Sequence, residues 1–151
     1  MAAPFRVAFD GGSRGNPGIA AWGVAILDED GEFLEGYGGF LGHATNNVAE
    51  YNGLIEALKL AGEHGATEVE VLADSELIVR QVQGSYRVRN ANLRPLFVEA
   101  MRMIQAFDLF RISHIRREKN KDADRMVNMT LDRAVADPTN PGIRVHENSR
   151  R

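Results

Sequence analysis

The chain has 151 residues, of which 44% are hydrophobic and 26% charged, with a formal net charge of −3 and no cysteine. These values fit one globular domain with an ordinary core; they exclude a disordered or fibrous chain, a disulfide framework and a Cys-based zinc site. No run approaches the roughly 20 apolar residues of a membrane span, so the expectation is a cytoplasmic protein with no membrane association, whose attraction to any polyanion must come from local patches.

"FRVAFD" (5–10) reads as a strand ending in a carboxylate, Asp10, ahead of the glycine-rich turn "GGSRGNPG". Asp starts turns readily because its side chain bonds the backbone ahead of it, so Asp10 is either a turn former or a functional acid. "AAWGVAILD" (20–28) and "EFLEGYGGFLG" (32–42), joined by "DEDG", extend the pattern into an antiparallel meander. The period then changes, since Val48, Tyr51, Leu54, Ile55 and Leu58 recur at helical spacing over 46–63. "TEVEVLA" (67–73) alternates as a strand, and "SELIVRQVQG" (75–84) and "NLRPLFVEAMRMIQAF" (92–107) read as helices. "LFRISHIR" (109–116) is a strand, and "NKDADRMVNMTLDRAV" (120–135) is a helix with Ala123, Val127, Leu131 and Ala134 on one face. Residues 137–151, with two prolines and a terminal "ENSRR", are expected to be a disordered tail. The order βββαβααβα predicts an α/β fold: three antiparallel strands, then two parallel ones reached through helical crossovers.

Sites in open α/β sheets form beyond strand ends. Asp10 and Asp74 each end a strand, and Glu50 lies in the first turns of the 46–63 helix, at the edge of its apolar stripe. In the last helix, about 100° per residue sets Asp124 beside the stripe and Asp122 opposite, in solvent. Each acid has a plain structural alternative: Asn47 and Glu50 have capping-box spacing, Asp74 could cap the helix after it, and Asp124 could be a helix-edge acid. Convergence of all four would be costly without cations, because unit charges about 4 Å apart interact by roughly 4 kcal/mol at an intermediate dielectric. A pair of Mg²⁺ or Mn²⁺ ions suits such an all-oxygen set, and two ions can activate a water and stabilise a leaving oxygen on a phosphodiester.

A second feature is a stretch without acids between Glu76 and Glu99, where Arg80, Arg87, Arg89 and Arg94 lie among Gln81, Gln83, Tyr86, Asn90 and Asn92. Arginine forks suit phosphate, so this is a candidate surface for a nucleic-acid backbone; a solvated helix end is the plain alternative.

"FDGGSRGNPG", "HATNNVAEYNGL", "ADSELIVRQVQG" and "HIRREKNKDADR" resemble, in order and spacing, the four motif regions of type 1 ribonucleases H. The resemblance runs from residue 5 to 135, and is to the short forms without a long basic insertion. It implies a ribonuclease H-like fold with a five-stranded mixed sheet and helices on both faces and a catalytic domain over 1–136; no protein partner is implied, and a monomer is the default expectation for a domain of this size. It further implies an endonuclease that cuts the RNA strand of RNA/DNA hybrids, leaving 3′-hydroxyl and 5′-phosphate ends. By the same resemblance Asp10, Glu50, Asp74 and Asp124 are the ligands of two Mg²⁺ ions, with Mn²⁺ a substitute, and Asp10 is shared between them. Asn16, Asn46 and Asn47 match the set that reads the minor groove, Thr45 matches a phosphate-binding position, and the glycine-rich turn is expected to let the nucleic-acid backbone approach.

The chain departs from the family pattern in three places. Glu76 stands where relatives often place Gln, and no long Lys- and Trp-rich insertion is recognisable. The segment before Asp124 is short, and His114 shares the strand alternation of Phe110 and Ile112, so Arg117 or Arg116 is the expected phosphate-side cation. The competing readings are a non-catalytic module binding hybrid or double-stranded RNA, and another nuclease of the same fold such as a junction resolvase.

Overall fold

The computed structural model describes residues 3–149. Three strands come first: β1 (Phe5–Arg14), β2 (Gly18–Leu27) and β3 (Phe33–Ala44). There follow helix α1 (Asn46–Glu63), strand β4 (Glu68–Ala73), helices α2 (Glu76–Val82) and α3 (Arg94–Ile104), and strand β5 (Leu109–His114). A 3₁₀ turn at Arg117–Lys119 leads into α4 (Lys121–Ala136), and β6 (Arg144–Asn148) closes the chain.

The sheet order is β5-β4-β1-β2-β3-β6. Pairs β1/β2, β2/β3 and β3/β6 are antiparallel, whereas β1/β4 and β4/β5 are parallel. The mixed sheet is as expected, but it has six strands and not five. The sixth comes from the segment read as a disordered tail, where Val145 alternates inward and is buried. Ile143, just ahead of the strand, is buried too and its carbonyl accepts from the Phe40 N–H. Two apolar residues among prolines and charges are too few to stand out as a period, yet enough to seat an edge strand on β3. No described helix is long and apolar enough to cross a membrane.

Alternation along β1 decides which helix covers which face. Val7 and Phe9 join the larger core with Tyr51, Leu54 and Leu58 of α1, whereas Ala8 clusters with Ala123 of α4. Helices α1 and α4 therefore lie on opposite faces. The strand also runs four residues past Asp10, so the acid is within β1, although the parallel pairing with β4 stops at Phe9↔Ala73.

Candidate metal centre and nucleic-acid surface

The register of the parallel pair puts the first two acids side by side. Phe9 is opposite Ala73, so Asp10 and Asp74 are the next residues on neighbouring strands, just where β4 ends and leaves that edge of β1 open. Two glycines bring in the others. A Cβ on Gly11 would lie 2.2 Å from the Glu50 backbone nitrogen, and one on Gly23, the cross-strand partner of Asp10, would lie 2.3 Å from the Ala123 carbonyl oxygen. The bare backbone at these positions lets α1 and α4 touch the sheet, which carries Glu50 and Asp124 toward Asp10. The space over Gly11 is thus occupied by a helix of the same chain.

Asp10, Glu50 and Asp74 each offer a carboxylate oxygen, and these oxygens lie within 4.8 Å of one another. Asp124 stands outside that triad but lines the same 430 Å³ cavity, together with Arg117, Arg14, Asn46 and Asn128. The capping alternatives fail for two acids. Thr45 caps α1, its hydroxyl accepting from the Val48 N–H, and Ser75 caps α2, its hydroxyl accepting from the Ile78 N–H. Glu50 and Asp74 are therefore not needed as helix caps. Asp122 is half-buried and paired with Arg125 at 2.6 Å, where free solvation was expected.

Burial governs the charge state of the cluster. It pushes Asp10 up to about 8, with the Asp74 charge adding to the rise and the Gly11 N–H, which donates to Asp10 Oδ1 at 2.8 Å, opposing it. Burial likewise raises Glu50 to about 7, against a lowering hydrogen bond from Ser75 and the charge of Arg117. Carboxyls that hold protons near neutrality, among further acids and with no ion pair within 4.0 Å among the described residues, lack a cation. An all-oxygen donor set of this kind fits a divalent ion.

Beside this cavity the β1–β2 turn is tied to α1: Asn46 Oδ1 accepts from the Ser13 N–H at 2.8 Å, and Asn16 Oδ1 accepts from the Asn46 N–H at 3.2 Å. Asn16, Thr45 and Asn47 line a second cavity, of 240 Å³, with Asn90, Asn92 and Leu93. A third cavity, of 420 Å³, has Tyr86, Arg87, Arg94 and Phe97 on its walls, and Arg89 is exposed nearby in sequence. Gln81 also reaches that wall but is only 5% exposed. Its Oε1 accepts from Tyr51 Oη–H at 2.6 Å and its Nε2 donates to the Arg87 carbonyl at 3.4 Å. The expected contact of Gln81 with nucleic acid is therefore corrected: its amide is committed to the interior.

Sequence reasoning did not single out Ser75, Asn120, Arg14 or Asn128, nor assign Asn90 and Asn92 to the Asn16 cavity. Ser75 and Asn120 each open a predicted helix, where Ser and Asn are favoured caps, so a signal was present for both, although the Asn120 side chain makes no capping bond. His114 ends β5, exposed, with Nε2 3.3 Å from the Asp74 carbonyl oxygen.

The model of a family described as reverse transcriptase-like matches residues 8–130. A protein named ribonuclease HI from Halobacterium salinarum is 40% identical over 126 residues, covering 83% of this chain and 63% of that protein. Its solved structure, titled as ribonuclease H1, superposes with a TM-score of 0.83 at 39% identity, covering 87% of this chain and all of that one. The structure titled LC11-RNase H1 in complex with an RNA/DNA hybrid gives 0.82 at 43% identity, over 87% of this chain and 99% of that one. The present chain spans less than two thirds of the curated Halobacterium protein's length. With the sheet order, the acid cluster and these matches in agreement, the chain belongs to the type 1 ribonuclease H family.

Proposed function

We propose that this protein is an endonuclease that hydrolyses the RNA strand of RNA/DNA hybrids, leaving 3′-hydroxyl and 5′-phosphate ends. The observation that carries the reading is the meeting of Asp10, Glu50 and Asp74 within 4.8 Å, with Asp124 and Arg117 on the walls of the same cavity. A hybrid-bound structure at 43% identity supports the choice of substrate.

Two Mg²⁺ ions, with Mn²⁺ as a substitute, would be held by Asp10, Glu50, Asp74 and Asp124, and would supply an activated water and charge stabilisation at the leaving oxygen. Hydrolysis joins the water oxygen to phosphorus and breaks the bond from phosphorus to O3′, which leaves as a hydroxyl. Asp10, which meets both Glu50 and Asp74 in the cluster, would be the ligand shared by the two ions. Arg117 bears a positive charge on the cavity wall, where it can hold the phosphate and later release it. Asn16, Asn46 and Asn47 stand where the shallow minor groove passes, and their amides can both donate to and accept from a 2′-hydroxyl. Thr45 takes a phosphate of the DNA strand, and Arg87 and Arg89 take phosphates further along. Reading a hydroxyl present on one strand only is what spares DNA.

The test is cleavage of a strand-labelled hybrid with Mg²⁺ or Mn²⁺, beside matched RNA/RNA and DNA/DNA duplexes. Metal-dependent loss of the RNA strand is expected. A hybrid that binds yet stays whole with both ions would leave a binding module in place of an enzyme.

A further inference from the structure

Asn120 is the polar side chain whose surroundings the proposed reaction leaves unexplained. It is 2% exposed, at the junction between the 3₁₀ turn and α4. Its Nδ2 donates to the Phe9 carbonyl at 2.9 Å and to Asp74 Oδ2 at 3.2 Å. Its backbone carbonyl accepts from the Asp124 N–H at 3.2 Å, and its own N–H donates to the Arg117 carbonyl at 3.0 Å. One residue thus bonds Asp74 directly, the backbone next to Asp10, and the backbones of Asp124 and Arg117. Its Oδ1 is buried with no partner among the described residues.

That arrangement is poor for packing alone, because a buried amide oxygen without a donor is a cost that an apolar residue of similar size would avoid at that atom. The amide cannot be turned round to relieve it, since Oδ1 would then face two acceptor oxygens. We infer that Asn120 is a positioning residue: it fixes the Asp74 carboxylate in the orientation the divalent ion requires and joins that orientation to β1 and α4. The chemistry suits an amide. It gives Asp74 a hydrogen bond without a positive charge that would compete with the cation, and without a proton that the carboxylate could take. With Oδ2 held, the other oxygen of Asp74 is left free for the ion. This inference rests on the reading of the acids as a metal site.

The measurement is calorimetric titration of Mn²⁺ into the substrate-free protein and its Asn120→Ala, Asn120→Leu, Asp10→Asn and Asp74→Asn variants, beside thermal unfolding and the KM and kcat of hybrid cleavage. Outer hydrogen bonds to metal ligands are typically worth about 10–100-fold in affinity or activity. Asn120→Ala is accordingly expected to weaken Mn²⁺ binding at least tenfold and to lower kcat, with KM for the hybrid within about twofold. Asn120→Leu keeps the branched shape and the number of heavy atoms without the donor, leaves no cavity of the kind the alanine variant opens, and is expected to show the same loss. If either folded variant binds Mn²⁺ as tightly as the parent while Asp10→Asn and Asp74→Asn do not, Asn120 is merely structural and the inference falls alone. Should Asp10→Asn and Asp74→Asn bind Mn²⁺ undiminished, the metal reading itself fails, and the inference with it.

Discussion

The two sides of α4's first turns treat negative charge in opposite ways. On the side toward the β3–β6 edge, Arg125 pairs with Asp122 at 2.6 Å and with Glu147 of β6 at 2.8 Å, and His146 meets Glu35 at 3.1 Å while stacking on Tyr37. At the carboxylate cavity, Asp10, Glu50 and Asp74 crowd together with no arginine or lysine within 4.0 Å among the described residues, and two of them hold protons near neutrality. The acids at the edge strand are ion-paired, whereas those of the site have no such partner among the described residues although Arg117 lines the same cavity. Paired acids fasten structure, whereas acids left unpaired in a protected place are a standing demand for a cation from outside.

The contrast is broken most severely by Asp10→Asn. Loss of the shared ligand should cut hybrid cleavage by about a thousandfold or more, the equivalent of roughly 4 kcal/mol in the barrier. The same change removes a carboxyl that burial forces to take up a proton, so the metal-free protein should become more stable near neutral pH. A rise in Tm of about 3 °C corresponds to ~1 kcal/mol at this chain length. Unfolding without metal and single-turnover cleavage with it check the two halves; a fall in both would mean that Asp10 is structural.

A smaller effect is expected from pH. Folding favours the protonated form of Asp10, whose ordinary value of 3.8 is pushed up to about 8, and of Glu50, raised from 4.5 to about 7. Stability from those protons is complete below the ordinary values and is lost as pH rises through the raised ones. The metal-free protein should therefore lose Tm between pH 5 and 8, the Asp10→Asn variant should lose less, and added Mg²⁺ should restore most at the alkaline end. Scanning calorimetry across that window reads the difference; an equal slope for both proteins would remove Asp10 from the explanation.

Arg117→Ala should lower turnover more than His114→Ala does, because Arg117 lines the cavity and its charge reaches Glu50, whereas His114 lies against the Asp74 backbone. The reverse ranking would make His114 the assisting group. On the opposite side of α4, Glu147→Gln should change cleavage not at all and stability by under about 1 kcal/mol, since both partners of its ion pair are about a third exposed and screened by solvent.

Much of the fold could be read from period alone. Tyr51, Leu54 and Leu58 place α1 at its observed bounds, and Ala123, Val127 and Leu131 place the inner face of α4. The β6 segment escaped because an edge strand of five residues, with charges on its outer face, has no period long enough to read. At the site, Asp10, Glu50 and Asp74 were legible as acids at strand ends and a helix face. Their company was only half legible: Asn120 and Ser75 stand at helix starts, where such residues are favoured, but the acids they bond are brought to them by long-range contacts that leave no pattern in a sequence. Gln81 failed for the opposite reason. It is polar and sits among arginines in the chain, but Tyr51 across the core holds its amide inward.

The most direct test of the central claim, that the site keeps buried acids for a divalent cation, is the number of protons released when Mn²⁺ binds the substrate-free protein at pH 7, read from binding enthalpies in buffers of different ionisation heat. With Asp10 at about 8, binding should expel close to one proton from that carboxyl, and Asp10→Asn should both weaken binding and abolish most of the release. Mn²⁺ that binds without releasing protons, or equally well to both proteins, would contradict it.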